Sequence, residues 1–388
     1  MRVTRTIMNI NRNQGDSVET YKNAFEGVFN GLTVLVTGHT GFKGSWLSIW
    51  LNELGARVIG YSLDPPTVEN NFNLTNLNKK FIDIRGDVND LNALTETIKK
   101  YKPQVVFHLA AQPIYNIGFE YPRETFYTNV GGTINVLEAI RKTDCVKVLV
   151  CITSDKCYRN QELVWGYRET DLLGGDNPYS ASKGMAELAI QAYRTSFFKD
   201  KVAIASVRAG NVIGGGDFRE SRLVPDSILA LINNNPVVIR NPDSVRPWQH
   251  VLVPLSGYLW LASLMLKNNL KYNEAWNFGP LEYKAVTTKY LVEKLIEFWG
   301  NGSWVHDNSS GENSETKLLK LNWEKAAKIL NWYPAYTIED ALKETVNWFK
   351  EYQKNKSGQQ VDMYQICVSQ IKLYTERARE LDLEWSKS

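Results

Sequence analysis

Cysteine and histidine are scarce in this chain, four of each in 388 residues. Cys145, Cys151, Cys157 and Cys367 form no C-x-x-C pair and the histidines are scattered, so zinc-ligand spacing is absent and no metal is expected. With no secretory context for the cysteines, the expected compartment is a reducing cytoplasm. The first ten residues, MRVTRTIMNI, carry two arginines but no apolar core, which argues against a signal peptide. No run approaches the roughly eighteen apolar residues a membrane helix needs, so no membrane contact is expected. An excess of one charge is missing as well. Lys and Arg number 45 against 42 Asp and Glu, a balance of +3 that is too even for nucleic acid or an anionic surface. Internal repeats and low-complexity tracts are also lacking.

A hydrophobic content of 43% suffices for a sizeable core, and the length fits two lobes that share an interface. From Gly31 onward, short β-branched runs alternate with longer amphipathic segments. LTVLVT (32–37), RVIGYS (57–62), KFIDIRGD (80–87), QVVFHLAA (104–111), VKVLVCIT (146–153) and VAIASVRAG (202–210) read as strands. Helical spacing fills the intervals: the stretch after the first strand through Leu54, then 90–101, 128–143 and 178–198. Such alternation predicts an α/β fold with a parallel sheet covered on both faces. After about residue 210 Pro, Asn, Gly and Arg dominate, and helical pattern returns at 252–266, 285–300 and 338–353. The expected organisation is an N-terminal extension (1–30) anchored by Phe25, Val28 and Phe29, a cofactor domain (31–210), a smaller, mostly helical substrate lobe (211–355) and a C-terminal tail (356–388). The segment near 250–266 is expected to return to the first domain.

"VTGHTGFKG" places Gly38, Gly41 and Gly44 after a strand and at the opening of a helix, with Phe42 and Lys43 inside the turn. Pyrophosphate oxygens take hydrogen bonds from backbone N–H groups and favour the positive helix end, and side chains at the glycine positions would block that approach. The spacing is G-x-x-G-x-x-G rather than G-x-G-x-x-G. An acidic residue about twenty positions on is expected to hold a ribose hydroxyl, which favours NAD. Asp64 fits, although Ser62 stands nearer the strand end. Asp87, beside Val88, follows the third strand where an adenine contact is expected. The bland alternative is a tight turn without a ligand.

"NPYSASKG" supplies Tyr179 and Lys183 at i and i+4 on one helix face. A tyrosine of ordinary pKa near 10 is a poor base, but a lysine cation one turn away and a nicotinamide cation nearby favour the phenolate. That pair suits removal of a hydroxyl proton while hydride leaves the same carbon. Ser154, at its own strand end, is the natural hydroxyl partner to the same substrate oxygen. Next to it stand an acid and a base, Asp155 and Lys156. They read either as a salt-bridged strand end or as groups that move protons.

With these residues in place, the chain resembles the extended short-chain dehydrogenase/reductase superfamily and, within it, the CDP-glucose 4,6-dehydratases. The resemblance runs from about Gly31 to about residue 350 and rests on VTGHTGFKGSWLS, HLAAQP, TSDKCY, VWGYRE, PYSASKG, VRAGNVIGGGD and RPWQHV. It implies a Rossmann-type doubly wound sheet binding NAD, a lobe for a nucleotide sugar (CDP-glucose), and a homodimer or homotetramer. It also implies oxidation at carbon 4 with Tyr179 as base, loss of water across carbons 5 and 6, and return of hydride to carbon 6. Such chemistry demands an acid and a base that plain dehydrogenation does not. Asp155 fits the acid, its pKa raised by partial burial. Dehydratases for dTDP-glucose carry a glutamate as base where this chain has Lys156. A neutral Lys156 would serve as base, and a charged one would stabilise the developing enolate.

By the same resemblance Ala110, Ala111 and Gln112 face the nicotinamide side, Gln112 also touching substrate, and Thr128, beside Asn129, lies near the cofactor. Asn211, Arg222, Arg246 and His250 are expected around a pyrophosphate, which arginine pairs bidentately. Trp165 and Tyr167 either cover the sugar or pack under a long loop. Two rivals stay open. A nucleotide-sugar 4-epimerase needs the glycine turn, Tyr179 and Lys183 but not Asp155 and Lys156. An NAD(H) sensor on the same fold has no need to retain Tyr179, Lys183, Ser154 and Asp155 together.

Overall fold

The computed structural model describes residues 20–199, 201–268, 270–281, 286–307 and 318–387. The first nineteen residues of the expected extension lie outside them. Seven strands form the central sheet: β1 (Thr33–Thr37), β2 (Arg57–Ser62), β3 (Ile82–Arg85), β4 (Val105–His108), β5 (Val148–Ile152), β6 (Ala203–Ala209) and β7 (Ala275–Phe278). Their spatial order is β3-β2-β1-β4-β5-β6-β7 and every pairing is parallel. Val, Ile and Ala dominate these strands because both faces are covered, so side chains on either side of the pleat meet apolar partners. This is a Rossmann-type doubly wound sheet, and its order reverses between β1 and β4. Ligands of such sheets enter the crevice that this reversal opens at the carboxyl ends of the strands.

The first helix, Phe42–Glu53, is buried along its length from Gly44 to Leu51. It is walled on one side by the sheet and on the other by the helix Met363–Glu380. The described chain ends meet there. Phe25 stacks on Trp385 with ring centroids 5.3 Å apart, and Trp385 stacks on Tyr374 at 5.5 Å. Glu53 accepts from Tyr21 at 2.6 Å and from Tyr364 at 2.7 Å. The two end segments therefore act as one brace behind the first helix.

After β6 the chain leaves the sheet and comes back twice. Helix Leu252–Lys267 packs against β5 and β6, and β7 then joins the sheet edge beside β6, a strand the sequence pattern had not marked. Between and beyond these returns lie the helices Leu223–Ile232, Thr288–Trp299 and Glu324–Leu330, and two small parallel ribbons. Val237–Ile239 pairs with Trp304–His306, and Val212–Ile213 with Gln249–His250. No helix among the described residues is long and apolar enough to cross a membrane.

Candidate active site

A cleft of about 1200 Å³ opens at the carboxyl ends of the strands, between the sheet and the elements after β6. The glycine turn forms one wall. Gly38 adopts φ +75°, and a Cβ on it would come within 2.7 Å of the Ala110 backbone nitrogen, so β1 and β4 approach there only because no side chain intervenes. A Cβ on Gly44 would lie 2.1 Å from the Gly38 carbonyl oxygen, so this glycine lets the helix sit directly on the turn. Gly41 caps that helix without a side-chain hydrogen bond, which leaves the first-turn N–H groups free to receive an anion. A backbone cradle at a helix N-terminus, opening into a long cleft, fits a dinucleotide pyrophosphate.

The remaining expected cofactor residues are distributed along the same cleft. Phe42, Lys43, Ser62, Asp64, Asp87, Val88, Ala110, Ala111 and Thr128 line it. Ser62 pairs with Thr40 at 2.9 Å, whereas the Asp64 side chain is 90% exposed and lies 3.5 Å from Arg85. Gln112 is not among the lining residues. Its amide turns inward to Thr125 and to the Ile114 N–H, while Asn129 grips its backbone from both sides. The Lys43 Nζ lies 5.8 Å from the Tyr258 ring centroid. Burial, with Lys183 and Arg222 nearby, pulls its pKa down to about 8.

Tyr179 and Lys183 come from the first two turns of the helix Pro178–Tyr193, which Asn177 caps through the Ser180 N–H. Both are buried at the cleft wall. Burial raises the Tyr179 pKa and a hydrogen bond with Ser154 lowers it, so the phenol stays protonated in the protein alone. The expected phenolate depends on the Lys183 cation together with a nicotinamide cation, and the second of these comes only with bound cofactor. Burial also lowers Lys183 to about 8.

Strand β5 delivers Ser154, whose side chain caps the single 3-10 turn Asp155–Cys157 by accepting from the Lys156 N–H. Ser154 Oγ also donates to Asp155 Oδ1 at 2.9 Å. Asp155 is 3% exposed, and its Oδ2 is buried without a hydrogen-bond partner among the described residues. Burial is the largest influence on this carboxyl and raises its pKa against the opposing charges of Lys156, Arg246 and Lys43. That direction leans the carboxyl toward the protonated form a general acid needs. Lys156 holds its Nζ 5.8 Å from the centroid of the Tyr115 ring, and both residues line the cleft. The pair is not an exposed strand end.

Of the residues expected at a pyrophosphate, Asn211, Arg222 and Arg246 line the cleft and His250 does not. Arg222 is held by Asp217 at 2.8 Å. His250 is fully buried between Trp46 and Tyr336, a packing residue under the floor. Trp165 is 60% exposed and outside the cleft, while Tyr167 stacks on Tyr158 in a separate apolar cluster. Arg219, Arg240 and Tyr115 line the cleft without having been singled out; the arginines sit in the polar stretch after residue 210, the only signal that marks them. No group of three or more metal-ligating side chains gathers among the described residues.

A family model described as GDP-mannose 4,6 dehydratase matches residues 35–345. The chain belongs to this family. As a member of the GDP-mannose 4,6 dehydratase family it is 48% identical, over 333 residues, to the CDP-glucose 4,6-dehydratase of Salmonella typhimurium, covering 84% of this chain and 92% of the relative. The dTDP-glucose 4,6-dehydratase of Bacillus anthracis, solved in complex with NAD, superposes with a TM-score of 0.68 at 24% identity, covering 84% of this chain and 98% of that one. The UDP-glucose 4-epimerase of Thermotoga maritima, solved with UDP-glucose, reaches a TM-score of 0.72 at 23% identity, covering 83% of this chain and 100% of that one. These two likenesses are of fold. A dehydratase and an epimerase of nucleotide sugars thus share this architecture.

Proposed function

We propose that this chain dehydrates CDP-glucose to CDP-4-keto-6-deoxyglucose, a hydro-lyase reaction with NAD as a recycled cofactor. The observation that carries it is Asp155: a buried carboxyl with an unpartnered oxygen, in one cleft with Tyr179 and Lys183. An epimerase has no use for such an acid. The choice of CDP-glucose rests on the relative that is 48% identical across most of both chains.

The backbone of Gly41, Phe42, Lys43 and Gly44 would hold the cofactor pyrophosphate, with Ser62, Asp64, Asp87 and Val88 toward the adenosine end and Ala110, Ala111 and Thr128 toward the other. NAD, when bound, supplies the hydride acceptor for carbon 4 and the hydride donor for carbon 6. Tyr179, as phenolate, takes the proton of the 4-hydroxyl, and Ser154 hydrogen-bonds the same oxygen. The Lys183 cation favours that phenolate once the cleft is filled. The 4-keto group acidifies the carbon-5 proton; Lys156, when neutral, takes that proton as base, its cation then pairs with the enolate, and the proton goes back to carbon 5 when hydride reaches carbon 6. Asp155 gives its proton to the 6-hydroxyl as the carbon–oxygen bond breaks and water leaves. The proton that Tyr179 removed then reaches Asp155 through Ser154, which restores both groups. Arg222 and Arg246 would clamp the substrate diphosphate. The four unpaired cysteines support a reducing, cytoplasmic setting. We also assign a homodimer or homotetramer, a reading supported by the exposed apolar side chains Tyr127, Met185, Leu188 and Phe197.

Incubation with NAD and a panel of nucleotide sugars tests the assignment. CDP-glucose should lose the mass of one water and give a keto sugar that absorbs strongly in alkali. Recovery of an isomeric hexose alone would turn the reading to an epimerase, and no change with any sugar would turn it to a sensor.

A further inference from the structure

Strand β6 is wholly buried and carries one charge, Arg208. Its partner is Glu187, on the same helix as Tyr179 and Lys183. The pair is bidentate, Nε to Oε1 and Nη2 to Oε2, both at 2.8 Å. Neither partner stops at the other. Glu187 also accepts from Thr153 Oγ1 and from Ser206 Oγ. The free arm of Arg208, Nη1, donates to the Tyr158 hydroxyl at 2.7 Å and to the Glu169 carbonyl at 3.2 Å. Tyr158 in turn donates to Asn277 on β7 at 2.8 Å.

Thr153 and Tyr158 are the first and last residues of TSDKCY, and between them stand Ser154, Asp155 and Lys156. One member of the ion pair therefore grips each end of that stretch. Replacing a buried ion pair with apolar residues of like volume is often neutral or stabilising, so stability alone is a weak reason for this one. Geometry is a stronger reason, because bidentate bonds fix direction as well as distance. We propose that Glu187 and Arg208 are positioning residues for the turn: they hold its two ends in register with the helix that carries Tyr179 and Lys183, and so aim Asp155 at the reacting sugar. This rests on the dehydratase reading above.

The test uses the full chain with NAD bound. Tyr158→Phe removes the hydroxyl that Arg208 holds but keeps the ring stacked on Tyr167. Misplacing a reacting group by about 1 Å costs up to roughly a hundredfold. The expected result is therefore a kcat for CDP-glucose lower by about ten- to a hundredfold, with KM within about twofold. Oxidation depends on Tyr179, which stays on its helix, whereas elimination depends on Asp155, so reduced nicotinamide should accumulate at steady state. Amide hydrogen exchange across 153–158 should quicken in the NAD complex while that of β6 holds. At the other end, Thr153→Val should repeat the defect and Thr153→Ser, which keeps the hydroxyl, should rescue it. A fall in melting temperature with kcat, nicotinamide redox state and exchange at 153–158 unchanged would overturn the proposal, as would failure of Thr153→Ser to rescue. If the parent protein gives no keto sugar, the functional reading fails on its own. Exchange at 153–158 then still decides the clamp, since it needs no substrate.

Discussion

The helix Pro178–Tyr193 presents buried polar side chains to two surroundings that treat them in opposite ways. Toward its start, Tyr179 and Lys183 face the cleft, where burial lowers Lys183 to about 8 and leaves Asp155 Oδ2 without a partner. One turn further on, Glu187 has both oxygens filled by Arg208, Thr153 and Ser206. A buried polar atom without a hydrogen bond costs roughly 1–3 kcal/mol, a cost that a ligand in the cleft would relieve at Asp155. In the proposed reaction a ligand finishes the hydrogen bonding of the open cluster, and in the proposed positioning role the closed cluster holds the open one still. Chemistry and positioning thus occupy neighbouring turns of one helix.

Breaking the open side should have the largest effect. Asp155→Asn keeps the shape but removes the acid, and turnover should fall by about 10²- to 10⁴-fold while carbon-4 oxidation continues, seen as accumulated reduced nicotinamide. Glu187→Gln opens the closed side and should cost about 3 kcal/mol in urea unfolding at neutral pH, because it leaves Arg208 buried and poorly paired. Burial pushes the Glu187 carboxyl up, but the charge and hydrogen bonds of Arg208, with those of Ser206 and Thr153, hold it below the usual range. A depressed folded pKa gives stability that is present above the unfolded value and lost as pH falls through the folded one. The gap between parent and variant should therefore be full at neutral pH, and should narrow as pH drops below about 4.5. Lys156→Ala should leave hydride transfer intact and slow exchange of the carbon-5 proton with solvent deuterium by about tenfold; exchange at the parent rate would remove Lys156 from the base role. Trp165→Ala lies outside both clusters and should change stability by no more than about 0.5 kcal/mol, with kcat and KM unmoved.

Much of this arrangement was open to reading because its signals are local. The runs TVLVT, RVIGYS and VLVCI are apolar on both faces, which only a parallel sheet covered on both sides explains, and the glycine turn stands between one of them and its helix. Tyr179 and Lys183 announce themselves by their i, i+4 spacing. What escaped depends on partners far apart in the chain. Arg208 was already visible as a charge inside VAIASVRAG, and Glu187 continues the Tyr179–Lys183 stripe one turn on, yet nothing local says that they meet. His250 lies beside the polar run around Arg246, but both residues of its two-residue strand are buried and neither lines the cleft. The residues of the helix Met363–Glu380 stand only as part of a C-terminal tail, because the surface they cover belongs to a helix near the other end of the sequence.

That last contact sets an order on assembly. Glu53 and Tyr364 are hydrogen-bonded although 311 residues separate them. A ribosome delivers the first of these long before the second, so Phe42–Glu53 spends most of synthesis with its outer wall uncovered. Closing so large a loop is entropically slow, and the glycine turn sits at the mouth of the helix that waits for it. The glycine turn is thus among the first parts of the cleft to be made, and the helix it opens is among the last to be braced from behind.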